Sequence, residues 1–134
     1  MEKPIKVYYV DDDADDIETF EDALFESEKP IDLISFNNSV GFLDHLNNSN
    51  VLPDFILLDI NMPKDSGKEI LIKLKQNRRY QGIPIIMYST TTSEDEIREC
   101  YSAGADGFIR KGSSLEDIQS DFFVELERLS EKVS

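Results

Sequence analysis

The sequence predicts an α/β domain: an open, doubly wound parallel sheet of five strands with helices on both faces. Three observations point there. Short apolar, β-prone runs alternate five times with amphipathic helical stretches. The runs are continuously apolar, the pattern of strands covered on both faces. No repeat, low-complexity segment or long linker divides the 134 residues, a length that suits one domain with its own core.

The elements follow in order. "IKVYYV" (5–10) is the first strand. The next stretch is helical, with Ile17, Phe20, Leu24 and Phe25 on one face at 3- and 4-residue spacing, and Pro30 ends the connection. "IDLISF" (31–36) is a strand, and "SVGFLDHL" (39–46) a short helix with Ser39 as its expected N-cap. "DFILLD" (54–59) is a buried strand and "GKEILIKLKQN" (67–77) a helix. In "IPIIMYS" (83–89) Pro84 belongs at the start of the strand. Ser93 and Glu96 form a capping-box pattern that opens a helix, and Gly104 closes it. "DGFIRK" (106–111) is the last strand. Ser113 and Glu116 repeat the capping-box pattern before a final helix of about four turns.

Composition narrows the function. The net charge of −14 argues against unaided nucleic-acid binding and against anionic membrane surfaces. Cys100, the one cysteine, cannot form an internal disulfide, which suits a reducing compartment. The start is not a signal peptide, and no apolar run spans a bilayer. The expectation is a cytoplasmic protein.

Polar residues collect at the strand ends. Asp11 and Asp12 end the first strand, Asp59 the third, Ser89 the fourth and Lys111 the fifth. In a parallel sheet these lie on one edge, where such folds bind ligands. Three clustered carboxylates call for a cation. An all-oxygen set with no Cys or His selects Mg²⁺ or Mn²⁺ over zinc. Lys111 offers a point charge suited to phosphate, and Ser89 a further donor. Together these groups suit phosphoryl transfer to a carboxylate, with Asp59 as acceptor because it ends the most buried strand. The loop "NMPKDSG" follows, with Gly67 available for a positive φ.

Four pieces, "VDDD" (10–13), "LLDINMPKDSG" (57–67), "PIIMYST" (84–90) and "SAGADGFIRKG" (102–112), occur in order at separations that resemble the receiver domain of two-component response regulators. The resemblance covers essentially the whole chain. It implies a flavodoxin-like sheet with strand order 2-1-3-4-5. It implies Mg²⁺ held by Asp11 through water, by Asp12 and Asp59, and by the main-chain carbonyl of Asn61. It makes Asp59 the phosphoacceptor, sets Ser89 and Lys111 against the phosphoryl group, and makes Ser89 and Phe108 the switch pair. Three positions depart from the family pattern. Gly112 follows Lys111 in place of proline, and a cis bond there would cost about 2.5–4 kcal/mol. Ser66 replaces an aspartate, and Thr90 is larger than the usual small residue.

The remaining residues have plainer readings. Asp13, Asp15 and Asp16 suit the first turn of a helix as structural or solvated charge. An EF-hand reading of Asp11, Asp13 and Asp15 fails, because Asp16 and Asp22 stand where Gly and Glu belong. His45 has no second ligand nearby, Cys100 sits mid-helix and inert, and Glu18, Glu21 and Asp22 form a solvated face. Leu115, Ile118, Phe122, Leu126, Leu129 and Val133 make a stripe that covers the sheet, with a weak dimer contact expected at its end.

The resemblance therefore implies a stand-alone response regulator. It would take a phosphoryl group from a histidine kinase or histidine-phosphotransfer protein and act through a downstream protein target, without nucleic acid or membrane. On this resemblance it would catalyse its own phosphorylation and dephosphorylation at Asp59 without being a conventional turnover enzyme. The alternatives are a phosphorelay intermediate and a non-phosphorylated interaction module. An aspartyl phosphatase would want a second acid where Asn61 stands.

Overall fold

The computed structural model describes residues 3–25, 27, 29–62, 66–112 and 114–133, the last three by their backbone. Strands and helices alternate: β1 (Ile5–Val10), α1 (Ala14–Phe25), β2 (Ile31–Phe36), α2 (Ser39–Asn48), β3 (Phe55–Asp59), α3 (Gly67–Gln76), β4 (Ile85–Ser89), α4 (Glu94–Ser102), β5 (Gly107–Arg110) and α5 (Leu115–Val133). All five strands are parallel, in the order β2-β1-β3-β4-β5. The expected fold and strand order are the ones observed.

The continuous apolar runs have the anticipated cause. Neighbours along a strand point to opposite faces, and both faces are buried. Tyr8, Val10, Ile56 and Leu58 pack on one side with Phe42, Leu46, Leu71 and Leu74 of α2 and α3. Val7, Tyr9, Leu57 and Tyr88 pack on the other with Phe20 of α1 and Ile118, Phe122 and Leu126 of α5. Phe20 and Phe122 meet edge to face at 5.2 Å. A fully buried ring of this size contributes about 1.5–3 kcal/mol. Cys100 is buried in the first of these cores, and burial holds its thiol above the usual range.

Several local expectations need correction. Phe25 is 87% exposed: one residue beyond buried Leu24, it is turned about 100° away from the face that Phe20, Ala23 and Leu24 bury. Asn38, not Ser39, caps α2: its Oδ1 accepts from Gly41 N–H at 2.7 Å, while Ser39 begins the helix. Ser93 caps α4 as expected, accepting from Glu96 N–H at 3.2 Å. The Glu96 carboxylate does not return the bond to Ser93. It accepts from the Thr91 hydroxyl, whose oxygen takes the Ser93 N–H. Ser113 lies outside the described residues. Ser114 caps α5 by accepting from Asp117 N–H, and α5 runs 19 residues, longer than expected. Its stripe from Ile118 to Leu129 is buried, Leu115 is half exposed, and the side chain of Val133 lies outside the described residues. His45 sits at the surface with its ring against Tyr8 and Phe36. Gly104 ends α4 with φ +113°, as a helix-closing glycine should.

Gly67 matters for a reason other than the one expected. Its φ is not positive. Instead its Cα lies so close to β3 that a Cβ would fall 1.9 Å from the Asp59 carbonyl oxygen. Its N–H donates to Ile60 O at 3.0 Å, and Ser66 beside it caps α3. Replacing Gly67 with Ala should therefore push α3 off the end of β3. We expect a loss of about 1–3 kcal/mol in chemical denaturation, the usual scale of overpacking; an unchanged midpoint would contradict the close approach.

Candidate functional site

Asp11, Asp12, Asp59, Ser89 and Lys111 come together at the carboxyl ends of β1, β3, β4 and β5. Asp11 continues the sheet beyond β1, its N–H donating to Phe36 O at 3.0 Å, and its side chain has no exposure. A buried carboxylate needs donors, and Asp11 has three. Its Oδ1 accepts from Asp13 N–H at 3.0 Å, and its Oδ2 from the Tyr9 hydroxyl at 2.6 Å. The same Oδ2 meets Lys111 Nζ at 2.7 Å. Asp12 is exposed at the mouth. Asp59 is 4% exposed; its Oδ1 accepts from Asn61 N–H at 3.3 Å and faces Lys111 Nζ at 3.4 Å. Carboxylate oxygens of Asp11, Asp12 and Asp59 lie within 4.8 Å of one another.

Ser89 is buried at the end of β4, and its Oγ accepts from Thr91 N–H at 3.1 Å. That bond uses an oxygen lone pair, so the hydroxyl proton is free to be donated. Lys111 is held at the main chain by its N–H on Ser89 O at 2.8 Å. Its ammonium also lies 5.3 Å over the Tyr88 ring. The Lys111–Gly112 bond is trans, and Gly112 turns the chain with φ +91°, a conformation glycine adopts without strain. Asp12, Asp13, Asp59, Asn61, Ser89, Thr90 and Lys111 line one open cleft.

Sequence reasoning missed two residues. Asp16, which the sequence reads as structural or solvated charge in the first helical turn, pairs through its Oδ2 with Lys111 Nζ at 2.9 Å and lines the cleft. It stands in the first turn of α1, its N–H donating to Asp13, and no local spacing ties it to Lys111. Tyr9 precedes Asp11 by two residues, so strand alternation puts both on one face. Phe108 is not at the cleft. It is half buried opposite Met87 on β5, against the core of α2 and α3.

The charges are strongly coupled. Burial, then the negative charge of Asp11, push Asp59 up to about 7, against the opposing pull of Lys111 and the Asn61 N–H. Burial alone would depress the Lys111 ammonium, but its bonds to Asp11 and Asp16 and the charge of Asp59 hold it above the usual lysine range. Burial and the bond to Asp11 raise the Tyr9 phenol far above its ordinary value. Burial takes Tyr88 up to about 12 despite Lys111 nearby.

With this geometry in view, the sequence matches the response regulator receiver domain over residues 7–122. The chain belongs to the response regulator receiver domain family. Response regulator Rcp1 of Synechocystis sp. is 35% identical over 66 residues, 49% of this chain and 45% of Rcp1. Two-component response regulator ARR5 of Arabidopsis thaliana is 32% identical over 83 residues, 62% of this chain and 42% of ARR5. These matches span less than half of each relative's length. Among solved structures, the phosphorylated cyanobacterial phytochrome response regulator RcpA superposes with a TM-score of 0.81 at 28% identity, over 96% of both chains. The Mn²⁺-bound form of Rcp1 superposes at 0.77 and 26%, over 87% of this chain and 91% of that one. Phosphorylation on aspartate and Mg²⁺ binding are typical of receiver domains. Among the described residues, no helix of this receiver domain is long and apolar enough to cross a membrane.

The raised Asp59 has a consequence for stability in chelated, metal-free solution. The folded state holds a proton up to about pH 7, whereas the unfolded chain releases it near 3.8. Stability from this group is therefore full below pH 3.8 and is lost as pH rises to 7. Asp59→Asn removes that dependence. The variant should gain on the order of 1–3 kcal/mol over the parent at pH 8, and the gain should vanish near pH 4. Parallel denaturation series with no pH-dependent gap would contradict the raised value.

Proposed function

We propose that this chain is a receiver module that accepts a phosphoryl group on Asp59, and that it signals by protein contacts. The observation that carries the reading is the juxtaposition of three carboxylates within 4.8 Å with a lysine that faces two of them. The all-oxygen donor set fits a hard divalent cation. Asp12 and Asp59, the Asn61 carbonyl and, through water, Asp11 would hold Mg²⁺ or Mn²⁺. When bound, the ion neutralises charge on the transferring group.

The residues divide the remaining work. Asp59 Oδ1 is occupied by the Asn61 N–H and faces Lys111, so Oδ2 is the nucleophile. With acetyl phosphate as donor, the bond from phosphorus to the acyl oxygen breaks and acetate leaves with the electron pair. Asp59 Oδ2 forms the new P–O bond, and no proton need move. Ser89 donates its free hydroxyl proton to one phosphoryl oxygen, and Lys111 balances charge on another. Positioning and electrostatics carry the rate. Output would follow from Ser89 drawing the end of β4 inward, with Phe108 on neighbouring β5 turning to fill the space behind it. A histidine kinase or phosphotransfer protein is the physiological donor in this reading.

Two measurements test it. Acetyl phosphate with Mg²⁺ should add one phosphoryl mass to the parent chain and none to Asp59→Asn; equal labelling of the variant overturns Asp59 as acceptor. Saturating Mg²⁺ should raise the thermal midpoint, because it binds the folded cluster and not the unfolded chain. Asp12→Asn should remove most of that rise. A midpoint indifferent to Mg²⁺ contradicts the metal set.

A further inference from the structure

Lys111 is not aimed chiefly at Asp59. Its Nζ lies 2.7 Å from Asp11, 2.9 Å from Asp16 and 3.4 Å from Asp59. An ammonium has three protons, and the two short contacts go to the α1 side of the cleft. The two carboxylates that take them differ in freedom. Asp11 is fully buried and also held by Tyr9 and the Asp13 N–H, so it cannot follow or release the lysine easily. The Asp16 side chain is 37% exposed and lies outside the three-carboxylate cluster. Breaking its ion pair returns it to water at small cost.

We propose that Asp16 is a positioning residue that holds Lys111 away from the acceptor oxygen and gives it up to the arriving phosphoryl group. The inference rests on the reading of Asp59 as acceptor. Before transfer, Asp16 takes one proton of the ammonium and offsets the positive charge that Lys111 would otherwise present to a phosphoryl donor. After transfer, a phosphoryl oxygen takes the proton that Asp16 held. Asp16 therefore slows phosphorylation by acting through Lys111, and it touches neither phosphorus nor the metal.

The test is the initial rate of labelling by acetyl phosphate, with Mg²⁺ and donor below saturation, followed by intact mass. Asp16→Asn keeps the shape and an acceptor oxygen but removes the charge. It should label about 3- to 10-fold faster than the parent, the kinetic equivalent of one partly exposed ion pair. Asp16→Glu, which restores the charge, should return to the parent rate. In a Lys111→Ala background Asp16→Asn should bring no acceleration. Far-UV circular dichroism checks that each variant is folded; the substitutions at position 16 are at a partly exposed site. An Asp16→Asn rate equal to or below the parent overturns the inference, as does Asp16→Glu matching Asp16→Asn. Full acceleration persisting without Lys111 overturns action through the lysine. If the parent itself takes no label, the acceptor reading fails and this inference falls with it.

Discussion

The upper edge of the sheet depends on Lys111 standing among carboxylates that would otherwise repel one another. Asp11 is wholly inside the protein and Asp59 nearly so. Their mutual repulsion and the loss of water both oppose ionisation. One ammonium, 8% exposed in its side chain, offsets part of that for both and for Asp16. A buried pair of this kind contributes little net stability, yet removing one partner leaves an uncompensated charge. The arrangement is thus a concentrated unfavourable potential, kept in place by the rest of the fold and relieved by positive charge.

The scaffold supplies that restraint through backbone more than through side chains. Asp11 N–H is bonded to Phe36 O, so the loop after β1 cannot drift from β2. Lys111 N–H is bonded to Ser89 O, which joins the ends of β4 and β5. Gly67 N–H bonds Ile60 O, and its Cα rests against the Asp59 carbonyl. The start of α3 therefore rides on Asp59 itself. Beneath these contacts, Tyr9, Phe20, Tyr88 and Phe122 form an aromatic floor of tilted and edge-to-face rings with centroid separations of 5.0–5.8 Å.

What the sequence made legible is what periodicity and strand ends encode. Unbroken apolar runs identified strands covered on both sides, and the polar residues closing four of the five runs identified the site edge. The misses have physical reasons. Ser39 and Asn38 are both good caps, and only the backbone path decides at which of them the helix begins. Phe25 follows Leu24 by one residue and Phe20 by five, which turns it off the buried face of the helix. Gly67 suggested an unusual φ, whereas the constraint was space beside a neighbouring strand. Asp16 looked like dipole-complementing charge because its partner is 95 residues away, beyond any local pattern. Tyr9 looked like core, which it is, but its hydroxyl also fixes Asp11.

The chain has five tyrosines and no tryptophan. Two of the five lie directly under the carboxylate cluster: Tyr9 donates its hydroxyl to Asp11, and Tyr88 lies beneath the Lys111 ammonium. Both are almost completely shielded from solvent. Two of the five tyrosine chromophores therefore sit against the cleft. A change in cation occupancy or in the position of Lys111 alters the field at two of its chromophores, so the unlabelled molecule carries its own optical probe.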